Sequence, residues 1–78
     1  MSPSLPSVTA RELTRALERA GFVLRRQRGS HQIYQHIQTG QRVSVPVHTG
    51  DIPKGTLRQI LRLADLSVER FLDLLRGV

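Results

Sequence analysis

The hydrophobic periods of this chain predict an α+β fold, with helices laid over one face of a three-stranded antiparallel sheet. Three observations carry that expectation. Apolar residues recur at helical spacing in three stretches, around 13–20, 57–64 and 68–75. Between the first two stretches the period drops to two, most clearly at Val43, Val45 and Val47. The turn signals Gly29-Ser30 and Thr39-Gly40 divide that middle region into three short runs, close enough to pair as hairpins. At 78 residues the chain fits one domain.

Residues 1–8 open with two prolines and three serines and read as a flexible N-terminal arm, ahead of a single domain over 9–78. Thr9 and Glu12 then have the spacing of a capping box, with Val8 and Leu13 placed to staple it. Leu13, Ala16, Leu17 and Ala20 form one helical stripe, and Gly21 supplies the stop. From Phe22 the alternation predicts a strand, with Phe22, Leu24 and Arg26 set against Val23, Arg25 and Gln27. His31–Ile37 reads as a second strand, with Ile33 and Ile37 on one face and Tyr34 on the other. On that parity His31 shares the face of Ile33, which would turn it toward the helices and leave it partly sheltered at the sheet margin. Arg42–Val47 is the third strand, and Pro46, which cannot donate to a central ladder, places it at an edge. A loop over 48–55 leads to a helix that Thr56 can cap, and Ser67 can cap a last short helix carrying Val68, Phe71, Leu72 and Leu75.

Composition narrows the function. Twelve Lys+Arg against six Asp+Glu give a formal charge of +6 and a pI near 11.6, the electrostatic footprint of a nucleic-acid binder. Eleven of the twelve cations are arginine, the side chain suited to holding phosphate bidentately. A chain this short has no room for a deep cofactor cavity, so an active site is shallow and its substrate lies along a surface. Without cysteine there are no disulfides or thiolate metal sites. No run of about 18 apolar residues exists to cross a membrane. The first residues lack the basic and apolar regions of a signal peptide, so a cytoplasmic protein is expected.

The chemistry concentrates at Gly29-Ser30-His31, a turn that delivers a histidine to a strand start between arginine-rich arms. Histidine is the side chain whose ordinary titration lies nearest neutrality. Set among phosphate-holding guanidiniums, it suggests cleavage of RNA, which supplies its own nucleophile in the 2′-hydroxyl. His31 is the candidate general base. Arg25, Arg26, Arg28, Ser30 and Lys54 are candidate RNA contacts, cationic donors being able to stabilise the charge on the reacting phosphorus. Tyr34 is the one aromatic residue read as open for stacking on a base, Phe22 and Phe71 being assigned to the core. His48 is either an RNA contact and general acid or an ordinary loop histidine, and His36 is expected to face solvent. His31 and His36 have opposite strand parity and the acids are scattered, so neither a metal site nor any other cofactor is expected. A surface histidine in a basic hairpin accounts for the same residues without catalysis.

The order of these pieces resembles the HicA-like mRNA interferase toxins of toxin–antitoxin pairs. The resemblance runs from about Thr9 to Leu75. It is carried by Leu17-Glu18-Arg19-Ala20-Gly21-Phe22, then Arg28-Gly29-Ser30-His31 with Tyr34 three residues on. Val45-Pro46-Val47-His48, Gly55–Leu61 and Ala64-Asp65-Leu66-Ser67 complete it. It implies a double-stranded-RNA-binding-like α-β-β-β-α fold, metal-independent cleavage of RNA (mRNA) with His31 as the catalytic residue, and a HicB-like antitoxin as partner. Gln32 occupies the place where the family often has another polar or histidine residue. A non-catalytic RNA-binding module on the same fold is the alternative, since such a module has no need of His31. A peptide-binding adaptor has only the small size in its favour.

Overall fold

In the computed structural model, which describes residues 4–48 and 50–77, the chain runs α1 (Ala10–Arg19), β1 (Phe22–Arg28), β2 (His31–His36), β3 (Arg42–Pro46), α2 (Lys54–Leu63) and α3 (Val68–Arg76). The three strands form one antiparallel sheet in the order β1-β2-β3, so β3 with Pro46 lies at an edge as expected. α1 packs on β1 and β3, α2 on β3, and α3 on α1 rather than on the sheet. This is the α+β architecture that the sequence predicted, the last C-terminal helix included.

The helix ends follow local chemistry. Thr9 Oγ1 accepts from the Glu12 amide at 3.2 Å, and the Glu12 carboxylate accepts from the Thr9 amide at 2.9 Å, closing the capping box. Ser67 caps α3 by accepting from the Arg70 amide at 3.0 Å. Thr56 does not cap α2, which begins two residues earlier at Lys54 with Pro53 as a cap that makes no side-chain bond. Proline fixes its own φ near the helical value, so the helix can start beside it without a polar cap. The guanidinium of Arg19 donates to the Leu74 carbonyl at 2.6 Å. That carbonyl also accepts from the Gly77 amide at 3.1 Å, so the guanidinium is its second donor and ties the end of α3 to α1.

The core lies between sheet and helices. Leu13, Ala16 and Leu17 of α1, Leu57, Ile60 and Leu61 of α2, and Phe71 and Leu74 of α3 are all buried in one cluster with Phe22, Tyr34, Val43 and Val45. Each such fully buried large side chain is worth about 1.5–3 kcal/mol of transfer free energy. The N-terminal segment contributes too. Leu5 is 3% exposed and Val8 is buried, with the Val8 carbonyl accepting from the Ile52 amide at 2.8 Å. The arm expected over 1–8 is thus anchored from Leu5 onward. Residues 1–3 lie outside the described residues.

The parity expected for the second strand is reversed. Tyr34, at 4% exposure, is the residue that enters the core, while Ile37 is 70% exposed and Ile33 only half-buried. Tyr34 pairs with Val43, and Gln32 pairs with the fully buried Val45. Even-numbered residues of β2 therefore face the helices, and His31 faces away from them. One tyrosine covers more area than an isoleucine and stands opposite the valine stripe, so its burial sets the register.

Candidate nucleic-acid interface

The helix-free face of the sheet is built from cross-strand rows. Register pairs Val23 with Gln35 and Arg42, Arg26 with Ile33 and Ser44, and Arg28 with His31 and Pro46. Residues directly opposite in an antiparallel ladder project to the same side. His31 thus stands on the open face with Arg28 on one side and Pro46 on the other. It is exposed, so the partial shelter expected from sequence parity is absent.

A β-bulge places the arginines. Regular alternation would put Arg26 and Arg28 on the side of Phe22 and Leu24, across the sheet from Arg25. The register shifts between Leu24 and Arg26, leaving Arg25 as the extra residue. Beyond the shift Arg26 and Arg28 come onto the His31 face. Arg25 also reaches that face, where its Nε donates to Gln35 Oε1 at 3.1 Å. Arg42, which sequence reading had not singled out as a contact, joins them opposite Gln35. Its signal was present in the alternation of Arg42, Ser44 and Pro46 with the valines. No Asp or Glu occurs between Glu18 and Asp51, so the sheet carries four guanidiniums and no carboxylate.

The turn before His31 is a two-residue hairpin connection, Gly29-Ser30, between the paired Arg28 and His31. Gly29 has φ +57°, as the first central position of a primed hairpin turn requires. The Ser30 carbonyl accepts from the Val47 amide at 2.6 Å, so the turn is held against the exit of β3. His48 follows two residues beyond the end of β3, exposed and beside the start of α1. Lys54 opens α2 in the helix layer rather than on the open face. Tyr34 is buried and presents no face to a base, which removes it from the expected RNA contacts. Burial raises its phenol above the ordinary 10.0, a hydrogen bond with the Thr14 side chain opposes that, and the nearby Glu18 charge adds to it.

His36 does not face solvent as expected. Its ring meets Phe22 edge-on, centroids 5.0 Å apart. Nδ1 accepts from the Gln38 and Thr39 amides at 3.1 and 3.2 Å, which leaves Nε2 as the donor to the Ala20 carbonyl at 3.1 Å. Gly21 is glycine for this reason among others. It has φ +103°, and a Cβ there would lie 2.9 Å from His36 Nε2. His36 is a structural clamp between the α1–β1 and β2–β3 connections. Among the described residues no three His, Cys, Asp or Glu side chains gather where they could hold a metal ion, and no helix is long and apolar enough to cross a membrane.

Comparison with protein families gives a match over residues 10–66 to the HicA toxin of bacterial toxin–antitoxin systems. The chain belongs to the HicA toxin family. It is therefore a toxin of a toxin–antitoxin system, and an antitoxin partner is implied in general terms. The match takes in α1, the whole sheet and α2, and so includes the His31 row and the bulge of this HicA-family chain. Comparison with curated proteins finds no match.

Proposed function

We propose that this HicA-family chain is an mRNA interferase, a metal-independent endoribonuclease in which His31 is the general base. The observation that carries the reading is the row Arg28–His31–Pro46 on an acid-free sheet face. It sets an exposed imidazole beside one guanidinium, with three more on the same surface. RNA lying across that face brings its phosphates to Arg25, Arg26, Arg28 and Arg42. His31 takes the proton from a 2′-hydroxyl, and that oxygen attacks the adjacent phosphorus as the bond to the 5′-oxygen breaks. The leaving oxygen takes up a proton, giving a 2′,3′-cyclic phosphate and a 5′-hydroxyl. His48 lies at the same end of the sheet and is the side chain proposed to supply that proton. Ser30 adds an exposed hydroxyl beside the base, and Lys54 a more distant cation.

The partner proposed is a HicB-like antitoxin presenting carboxylates to the same face. Complementary charge would steer it there quickly, and occupation of the His31 row blocks RNA directly. The deciding experiment is RNA cleavage by wild-type and His31→Ala protein. A general base contributes about 10²–10⁴-fold, so the variant should lose that factor while keeping the wild-type circular dichroism. Undiminished cleavage by folded His31→Ala removes His31 from the reaction. Wild-type protein that binds RNA without cutting it makes the chain an RNA-binding module instead.

A further inference from the structure

Beyond the sheet face, the end of the molecule that carries His31 has a hollow of about 610 Å³ lined by Thr9, Ala10, Arg11, Val47, His48 and Gly50. We infer that this hollow is a subsite for one nucleotide of the RNA flanking the cleaved bond, with Arg11 holding that nucleotide's phosphate. The inference rests on the ribonuclease reading and adds to it a place on the helix layer where the strand continues.

Position is the first argument. Pro46 is the cross-strand neighbour of His31, and the Val47 amide is bonded to the Ser30 carbonyl at 2.6 Å. His48 is two residues past Pro46, at most about 7 Å further along the chain. A strand of RNA whose phosphate sits at His31 therefore needs to advance by only one or two nucleotides to reach the hollow. The rim is also tied to the N-terminal segment: the Ile52 amide is bonded to the Val8 carbonyl at 2.8 Å, and Thr9 and Asp51 pair in an isolated bridge. The hollow is thus fixed relative to His31 through two hydrogen-bonded connections.

Chemistry is the second. The hollow is a shallow depression open to solvent rather than an enclosed cavity, a shape that suits one nucleotide of a strand lying along the surface. Ala10 and Val47 supply apolar wall for the base, while the exposed Arg11 supplies charge for the phosphate. Two carboxylates are near in sequence. Glu12 is committed to the Thr9 cap through its Oε1, and Asp51, paired with Thr9 in the bridge, is not among the residues that line the hollow. The phosphate is therefore assigned to the Arg11 side of the hollow.

The experiment compares Arg11→Ala, Arg11→Lys and Arg62→Ala in steady-state cleavage. The same substitutions are made in the His31→Ala background for RNA binding by fluorescence anisotropy. Arg62 lies near the opposite end of α2 from the loop and serves as the equal-charge control. Arg11→Ala should raise KM and Kd several-fold, leave kcat close to wild type and make the salt slope shallower by about 0.7. Arg11→Lys should recover most of the loss, and Arg62→Ala should move none of these quantities. An RNA series with a single abasic residue walked along the strand should show one sensitive position beside the cleaved bond. The inference is overturned if wild-type protein cleaves and Arg11→Ala matches it, or if Arg62→Ala costs as much as Arg11→Ala. Wild-type protein that neither binds nor cleaves RNA overturns the ribonuclease reading itself, a result distinct from either of those.

Discussion

If the open face of the sheet holds RNA, the affinity must depend on salt by an amount that the bulge sets. Arg25, Arg26, Arg28 and Arg42 share that face, and no carboxylate competes with them there. Each phosphate held on a single strand contributes about 0.7 to the slope of log K against log salt, so four contacts give a slope near −2.8. Between 50 and 200 mM salt that slope weakens binding ~50-fold. Had the first strand alternated without a bulge, Arg26 and Arg28 would lie on the helix side, and the slope from this face would be about −1.4. The measurement is fluorescence anisotropy of a short labelled RNA with His31→Ala protein, which binds without consuming the probe. Arg26→Ala and Arg28→Ala should each make the slope shallower by about 0.7, without regard to base sequence. Arg76→Ala should leave it unchanged, since Arg76 lies on α3 and is paired with Asp73 at 2.5 Å. A wild-type slope shallower than about −1.4, or an Arg76 effect equal to that of Arg26, would refute the reasoning.

Two further predictions concern stability. Tyr34 is the sole tyrosine and there is no tryptophan, so its ionisation can be followed directly by absorbance near 295 nm. Its phenol is raised above 10.0, chiefly by burial, so the unfolded chain gives up this proton first. The stability it contributes is complete below pH 10 and is lost as pH rises above that value. Absorbance and ellipticity should change together there, and Tyr34→Phe should resist the alkaline loss; phenol ionisation at pH 10 or below with the fold intact contradicts its burial. Gly21→Ala should cost about 2 kcal/mol in urea unfolding. Left-handed strain of roughly 1–2 kcal/mol and a disturbed His36–Ala20 bond are partly offset by a stiffer unfolded chain. A cost below about 0.5 kcal/mol would mean that His36 does not press on this turn.

The amino-acid sequence by itself determined what short-range chemistry can determine. The capping box of α1, the Ser67 cap, the helical stripes, the stop at Gly21 and the Gly29-Ser30 turn depend on residues within a few positions of one another. The charge excess and the identity of the candidate base, His31, were likewise legible, as was the family resemblance. Tertiary structure decided which way the strands face. Alternation has only two phases, and Ile33 and Ile37 argued for one while Tyr34 argued for the other. Burial of Tyr34 opposite Val43 settled the phase and moved His31 from the helix side to the open side. The bulge at Arg25 leaves no local signature, because an extra residue in one strand exists only relative to its partner strand. Yet that residue brings Arg26 and Arg28 to the face of His31 while Phe22 stays in the core. His36 became a clamp rather than a surface residue for the same reason, since Ala20 and Phe22 reach it only when β1 pairs with β2.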